Sequence, residues 1–198
     1  SGFPGESAGV LNDPQHWRPV GQATLAYGYG LSVTSLQLAQ AYAVIAADGL
    51  RRPVSMIRVE EPPSTERIVS VETAHALKSM LETAVSAIGT GQRAAINHFR
   101  VAGKTGTAWK SGVGGYSKDR YLAVFGGFAP VASPKLVAVV VINEPRGGAY
   151  YGGDVAAPVF SQIISGALRL LAIPPDALPE QTTTALASAG ITQVEANQ

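Results

Sequence analysis

The sequence predicts an α+β fold in which an antiparallel β-sheet is flanked by helices. Three β-rich segments follow one another in the second half of the chain, and the links between them are too short for a crossover helix. Apolar residues at helical spacing occur both before and after these segments. Hydrophobic residues make up 46% of the 198 residues, so the chain can build the core of one domain, or the larger part of one.

The first helix is predicted after an N-terminal loop. Up to about Tyr29 the chain is rich in Gly, Pro and aromatic residues, which favours irregular structure. Thr34 is a candidate N-cap and Gly49 a candidate stop signal. The residues between them with helical apolar spacing are Leu38, Ala41, Tyr42 and Ile45.

A short strand and a second helix are predicted next. Residues 54–59 form the strand candidate, which the following prolines interrupt. Ser70 is the candidate cap of a helix over about 72–87, and the glycines at 89 and 91 end it. The predicted apolar face of this helix consists of Ala76, Leu77, Met80, Leu81, Ala84, Val85 and Ile88.

The sheet is predicted from segments at about 99–108, 121–128 and 135–142, which should form an antiparallel meander. The last helix is expected over about 155–171, and one face of the sheet should carry this helix, the first helix, or both. Its predicted buried residues are Val159, Phe160, Ile163, Ile164, Ala167 and Leu171.

Composition excludes several classes of function. The net charge of +1 and the absence of a basic run argue against nucleic-acid binding. The chain has no cysteine and its three histidines are far apart, so neither a metal site nor a cofactor is expected. The longest apolar run, 136–142, has the length of a strand and is too short to span a bilayer. Residues 176–198 are rich in Thr, Ala and Gln, which predicts a flexible tail.

The most informative motif is Lys104-Thr105-Gly106-Thr107 in a predicted strand. Alternation places Lys104 and Gly106 on one face and the two threonines on the other. An ammonium, two hydroxyls and a glycine make a strand edge that can bind a carboxylate and accept an extended peptide as an added strand. The Thr107 backbone N–H is a candidate oxyanion donor.

Chance occurrence and a phosphate-binding loop compete with this interpretation of the motif. As a bare tripeptide, Lys-Thr-Gly is weak evidence and arises by chance in strand-to-turn segments. A phosphate-binding loop is excluded, because that motif needs glycine where this chain has His98 and needs a helix where a β-rich run follows.

An ordered set of motifs gives the tetrapeptide its context. The set comprises Gly2-Phe-Pro-Gly-Glu6, Tyr27-Gly-Tyr-Gly-Leu-Ser-Val-Thr34, Leu36-Gln-Leu-Ala-Gln-Ala-Tyr42, Val101-Ala-Gly-Lys-Thr-Gly-Thr-Ala108, Phe125-Gly-Gly-Phe-Ala-Pro130, Val139-Val-Val-Ile-Asn143, Tyr150-Tyr-Gly-Gly-Asp154 and Ala157-Pro-Val-Phe160. Over about residues 1–175 the chain resembles class B penicillin-binding proteins, most closely the division-specific septal transpeptidases (FtsI-like). The resemblance implies the C-terminal portion of a β-lactamase-like transpeptidase domain, an antiparallel sheet between helices.

The resemblance implies a serine-type peptidoglycan D,D-transpeptidase that cross-links stem peptides ending in D-Ala-D-Ala and is acylated by β-lactams. Lys104, Thr105 and Thr107 would be catalytic residues that hold the substrate carboxylate. Gly106, Tyr29, Tyr150 and Tyr151 would bind substrate. The implied partners are the rest of the transpeptidase domain and cell-division proteins. The implied location is the periplasmic face of the bacterial inner membrane, with the anchor outside this chain.

The sequence departs from the family pattern at several points. It contains no Ser-x-x-Lys nucleophile motif and no Ser-x-Asn motif. Ser35 stands where proline is usual, and Trp109 stands where many relatives carry a basic residue. Two alternatives therefore stay open: a non-catalytic ligand-binding or division-complex scaffold module, and a D,D-carboxypeptidase or β-lactamase relative.

Overall fold

The structure is a computed structural model that describes residues 3–61, 63–112 and 115–177. Its α-helices are α1 (Pro19–Ala26), α2 (Ser35–Ala46), α3 (Val71–Thr83), α4 (Gly152–Val155) and α5 (Ala157–Leu170). Its strands are β1 (Val10–Leu11), β2 (Leu31–Ser32), β3 (Leu50–Arg51), β4 (Glu66–Arg67), β5 (Ala102–Gly112), β6 (Gly115–Ala129) and β7 (Leu136–Asn143). Short 3₁₀ turns cover Pro14–His16 and Gln92–Ala94.

The main sheet has three antiparallel strands in the order β5-β6-β7. Thr105 of β5 lies opposite Phe125 of β6, which in turn lies opposite Val140 of β7. The predicted meander is therefore confirmed. Among the described residues, the outer edge of β5 pairs with no other strand.

Each face of this sheet carries a helix, so the predicted α+β arrangement is confirmed. On one face Phe125 packs against Phe160 of α5, with ring centroids 4.8 Å apart. On the opposite face Phe128 belongs to a cluster with Ala46 at the end of α2. Alternation along the strands explains this division, because Phe125 and Phe128 are an odd number of positions apart.

Helix α2 begins and ends as its sequence predicts. The Thr34 hydroxyl accepts a hydrogen bond from the Gln37 N–H at 3.1 Å, and the Gln37 side chain accepts one from the Thr34 N–H at 2.9 Å. This reciprocal pair is a capping box. At the other end Gly49 has φ of 86° and donates its N–H to the Val44 carbonyl, which terminates the helix.

Two N-terminal predictions were wrong. The segment expected to be a loop contains α1, which Pro19 opens and which lacks the apolar periodicity that would reveal it. The strand expected at 54–59 is not formed. The extended pairing lies just outside it, where Leu50 and Arg51 of β3 pair with Arg67 and Glu66 of β4.

The buried face of α3 is rotated from the predicted one. Met80 is 67% exposed and Ile88 is 92% exposed, although both were expected to be buried. Ala74 is fully buried instead, and Val85 packs into the core just after the helix. Ile88 is exposed because α3 ends at Thr83, so the helical spacing of buried residues does not extend to position 88.

Helix α5 also buries a narrower stripe than expected. Ile163 and Leu171 are more than half exposed. The buried residues are Ala157, Phe160, Ile164 and Leu168. Their spacing of three and four residues keeps them on one side of the helix, towards Phe125.

Beyond α5 the chain returns to the sheet. The Asp176 carboxylate accepts hydrogen bonds from the backbone N–H groups of Arg100 at 2.7 Å and Ala132 at 2.9 Å. Most of the tail predicted for 176–198 lies outside the described residues, which end at 177. None of the described helices combines the length and the apolar character that crossing a bilayer requires.

The ring of Tyr42 of α2 packs against the sheet at Gly126 of β6, which leaves room for it. A side chain at Gly126 would overlap this ring, with the Tyr42 Cζ only 2.9 Å from the added Cβ. Burial raises the pKa of the Tyr42 hydroxyl to about 12. Gly126 therefore sets how closely α2 approaches the sheet.

Replacing Gly126 should destabilise the protein. We expect Gly126→Ala to lower the free energy of unfolding by about 1–3 kcal/mol, because the new methyl group forces Tyr42 away from the sheet. Gly106→Ala is the matched control on the neighbouring strand, where an added Cβ would meet Val124 Cβ at an ordinary 3.6 Å. Denaturant unfolding of both variants tests this, and equal stabilities would contradict it.

Candidate functional site

The Lys104-Thr105-Gly106-Thr107 segment lies in the first half of β5, at the open edge of the sheet. Lys104 is opposite Gly126, which faces α2, and Thr105 is opposite Phe125, which faces α5. The predicted alternation is therefore present. The two threonines face the α4–α5 side, and the lysine leaves the strand on the α2 side.

The Lys104 ammonium nevertheless reaches the threonine side. Lys104 is exposed, and its Nζ donates to the Thr105 carbonyl and to Thr105 Oγ1, both at 3.2 Å. It also lies 3.4 Å from Thr90 Oγ1. These contacts require the side chain to bend around the strand edge, which is possible because no described strand covers that edge. The result is a cation and two hydroxyls in one place.

Thr107 connects β5 to the segment that follows Tyr150 and Tyr151, the twin tyrosines. Its Oγ1 accepts a hydrogen bond from the Gly152 N–H at 3.0 Å, across 45 positions of sequence. Gly152 is the first residue of α4, and its N–H has no partner within that helix. Thr107 therefore acts as an external cap for α4.

Two glycines allow this close approach. A Cβ on Gly152 would lie 2.5 Å from the Gly106 carbonyl oxygen, and one on Gly153 would overlap the Thr90 carbonyl. Both clashes involve backbone atoms, which cannot move aside as a flexible side chain can. The glycine pair is thus required for α4 to lie on β5.

An aromatic cleft of about 190 Å³ opens beside Thr107. Its other lining residues are Tyr29, Trp109, Tyr121, Tyr150 and Tyr151. The rings of Tyr121 and Tyr150 are stacked, with centroids 4.2 Å apart and planes at 17°. None of the described residues that line the cleft has a carboxylate or an imidazole, so these residues offer ring faces and hydroxyls rather than a charged acid or base.

The twin tyrosines are coupled to each other. The Tyr150 hydroxyl donates to the Tyr151 hydroxyl at 3.2 Å, and the ring centroids are 4.4 Å apart. This hydrogen bond is the main reason that the pKa of Tyr150 is raised, because it stabilises the protonated form. The Tyr150 hydroxyl is consequently a neutral hydrogen-bonding group near neutral pH.

The structure gathers most of the residues that the sequence singled out. Tyr29, Thr107, Tyr150 and Tyr151 line one cleft. Lys104 and Thr105 precede Thr107 on the same strand, and Gly106 lies between them and Thr107. The catalytic and substrate-binding roles of all seven residues stay predictions, as does the oxyanion role of the Thr107 N–H.

Sequence reasoning missed two residues of this region. Tyr121 could have been found, because antiparallel pairing places it opposite Trp109. Thr90 carried no signal, since it belongs to a turn distant in sequence from the strand it contacts. Within the described ranges, no group of three His, Asp or Glu side chains is arranged to hold a metal ion.

The family follows from comparison with known proteins. Residues 1–165 match the model of the penicillin-binding protein transpeptidase domain. The chain belongs to this family, and within it to the class B penicillin-binding proteins. The motif resemblance seen in the sequence is thereby confirmed.

Named relatives support the same assignment. The chain is 44% identical over 177 residues to the peptidoglycan D,D-transpeptidase FtsI of Escherichia coli K12, covering 89% of this chain and 30% of that protein. It is 42% identical over 175 residues to the probable peptidoglycan D,D-transpeptidase PenA of Neisseria gonorrhoeae, covering 88% of this chain and 30% of that protein. The chain thus spans less than a third of the length of either relative.

A solved structure agrees with the fold. The apo transpeptidase domain of penicillin-binding protein 3 from Burkholderia pseudomallei matches with a TM-score of 0.84 and 45% identity, covering 90% of this chain and 54% of that one. At this identity the match supports the arrangement of the sheet and helices described above.

Replacing Gly152 should separate the twin tyrosines, Tyr150 and Tyr151, from β5. We expect Gly152→Ala to cost about 1–3 kcal/mol of stability and to weaken the near-ultraviolet circular dichroism of the stacked tyrosines, because its methyl group meets two backbone oxygens. Gly166→Ala in α5 is the control, since an added Cβ there meets nothing within 4 Å. An unchanged tyrosine signal in Gly152→Ala would contradict the docking.

Proposed function

We propose that the protein is a serine-type peptidoglycan D,D-transpeptidase, and that this chain supplies its carboxylate-binding strand and aromatic wall. The observation that carries the proposal is the cluster at the open edge of β5, where the Lys104 ammonium and the Thr105 hydroxyl meet beside the cleft bordered by Thr107. Peptidoglycan D,D-transpeptidase is also the activity named for the Escherichia coli relative.

The edge of β5 suits a peptide substrate. An extended stem peptide can add as a further strand, pairing its main chain with the outer edge of β5, which no described strand covers. Its terminal carboxylate then meets the Lys104 ammonium and the Thr105 hydroxyl, and charge-assisted hydrogen bonds of this kind are the strong ones. Gly106, the next residue of the strand, has no side chain, so the peptide can approach the strand closely there.

The reaction is acyl transfer in two steps. A serine attacks the carbonyl between the two terminal D-alanines, the C–N bond breaks, and the last D-alanine leaves as its amine after receiving a proton. An amine of a neighbouring stem peptide then attacks the ester and releases the serine. The Thr107 N–H is our candidate donor to the oxyanion, a type of contact worth about 3–4 kcal/mol in favourable cases.

The nucleophile must come from outside these 198 residues, because they contain no Ser-x-x-Lys motif. β-Lactams would acylate that serine, with the antibiotic carboxylate on the Lys104-Thr105 edge. The 44% identity to FtsI of Escherichia coli favours a role in septal cell-wall synthesis, with division proteins as partners. Such a role places the domain at the periplasmic face of the inner membrane, anchored by a segment outside this chain.

Two alternative functions compete with the transpeptidase. A non-catalytic ligand-binding or scaffold module is favoured by the missing nucleophile motif. A D,D-carboxypeptidase or β-lactamase would use the same Lys-Thr-Gly strand but pass the acyl group to water.

Fluorescent penicillin distinguishes these functions in the full-length protein. We expect a covalent adduct that persists for many minutes, because a transpeptidase excludes water from its acyl-enzyme. Rapid release of the label would favour the hydrolytic relatives, and no label at all would favour the scaffold module. The matched control is the 198-residue chain alone, which should show no adduct by mass spectrometry.

Replacing Lys104 should weaken acylation. Removing a charged hydrogen-bond donor costs about 1.5–3 kcal/mol, so Lys104→Ala should lower the second-order rate constant of acylation by roughly ten- to a hundredfold. Lys110→Ala is the control on the same strand, because the Lys110 ammonium is held by Glu144 at 2.6 Å. Unchanged acylation in Lys104→Ala would remove this lysine from the site.

A further inference from the structure

Thr90 is the residue of this region whose contacts are not explained by the motifs. It lies in the turn between α3 and the 3₁₀ turn Gln92–Ala94. Its hydroxyl oxygen is 2.9 Å from Thr105 Oγ1 and 3.4 Å from the Lys104 Nζ. One side chain from a separate turn therefore touches two functional groups of the carboxylate-binding strand.

The turn that carries Thr90 is held in place by its flanking glycines. The Gly91 N–H donates to the Ala84 carbonyl at 2.9 Å, and the Gly89 N–H donates to the Ser86 carbonyl at 2.9 Å. A Cβ at Gly91 would lie 3.1 Å from the Phe125 ring, and one at Gly89 would overlap the Ala84 carbonyl. The turn can pack between the end of α3 and the sheet only because both residues are glycines.

Residues that follow the twin tyrosines also hold Thr90 in place. Its carbonyl lies against Gly153, so close that a side chain there would overlap it. The neighbouring Arg93 donates to the Asp154 carbonyl at 3.3 Å. The turn is thus clamped between β5 and the start of α4, which leaves the Thr90 hydroxyl directed at Thr105.

The Lys104 ammonium fixes the direction of its own hydrogen bonds in this cluster. An ammonium can only donate, so Lys104 donates to both threonine oxygens. Either hydroxyl can then donate in the bond between Thr90 and Thr105. An anion bound next to Thr105 selects the arrangement in which Thr90 donates to Thr105 Oγ1 and the Thr105 hydroxyl gives its own proton to the anion.

We propose that Thr90 is a positioning residue that aims the Thr105 hydroxyl proton and the Lys104 ammonium at the carboxylate of the substrate. The inference rests on the proposed function, since it assigns a role within the same site. Thr90 itself does not touch the substrate. Hydrogen bonds in series strengthen one another, which is how a hydroxyl one step removed affects carboxylate binding.

A purely structural role predicts something different. If Thr90 only shaped its turn, its loss would disturb every ligand of the site equally. If it orients the carboxylate-binding groups, its loss would matter only for ligands that carry the carboxylate. The two roles are separated by comparing a penicillin with its methyl ester, which keeps the reactive ring but lacks the anion.

The test uses Thr90→Val in the full-length protein, because valine keeps the shape of threonine and removes the hydroxyl. We expect the second-order rate constant of acylation by the carboxylate form to fall about tenfold. Acylation by the methyl ester should change less than about twofold, and the melting temperature should stay close to that of the wild type. Thr90→Ser, which restores the hydroxyl, should recover most of the rate.

Thr83→Val is the matched control, because the Thr83 hydroxyl donates within α3, to the Ser79 carbonyl at 3.0 Å. It should leave both rates unchanged. Equal losses for acid and ester, no loss for the acid, or no recovery in Thr90→Ser would each overturn the proposal. A wild-type protein that is never acylated would overturn the proposed function and this inference with it, whereas acylated wild type and unaffected Thr90→Val would overturn only this one.

Discussion

The hydrogen bond from the Gly152 N–H to the Thr107 hydroxyl joins two parts of the site that are 45 positions apart in sequence. It satisfies an N–H at the start of α4 that has no partner within the helix. It also holds the twin tyrosines next to the strand, because Tyr151 immediately precedes Gly152. The docking of α4 on β5, and with it the place of the twin tyrosines beside the cleft, depends on this contact and on the glycine pair that permits it.

The open edge of β5 is the second constraint. Both faces of the sheet are covered, by α2 on one side and α5 on the other, yet among the described residues the edge of this 11-residue strand has no strand partner. Unpaired edges are a liability that proteins usually cover or shorten. Here the edge carries the lysine and the hydroxyls, so the proposed peptide substrate would satisfy the same main-chain groups that are otherwise a hazard.

Trp109 forms an apolar wall of the aromatic cleft. It is 49% exposed, lies opposite Tyr121 on the neighbouring strand and lines the cleft with Thr107. Where many family members are expected to have a basic residue, this wall is apolar. Under the proposed function, recognition of a carboxylate therefore depends on Lys104 and its threonine partners, while Trp109 offers a surface for uncharged parts of a ligand.

The sequence by itself determined the α+β class, the order of the β5-β6-β7 meander, the caps of α2 and the residues of the Lys-Thr-Gly strand, because these follow from local periodicity, turn chemistry and ordered motifs. Helix α1 was missed because it is too weakly amphipathic to leave a pattern. The buried sides of α3 and α5 were decided by what packs against them, which apolar spacing alone does not specify. Only the tertiary structure brought Thr90 to Thr105 and Gly152 to Thr107. Such contacts join separate segments through hydrogen bonds and close backbone approach, and neither produces a periodic pattern in the amino-acid sequence.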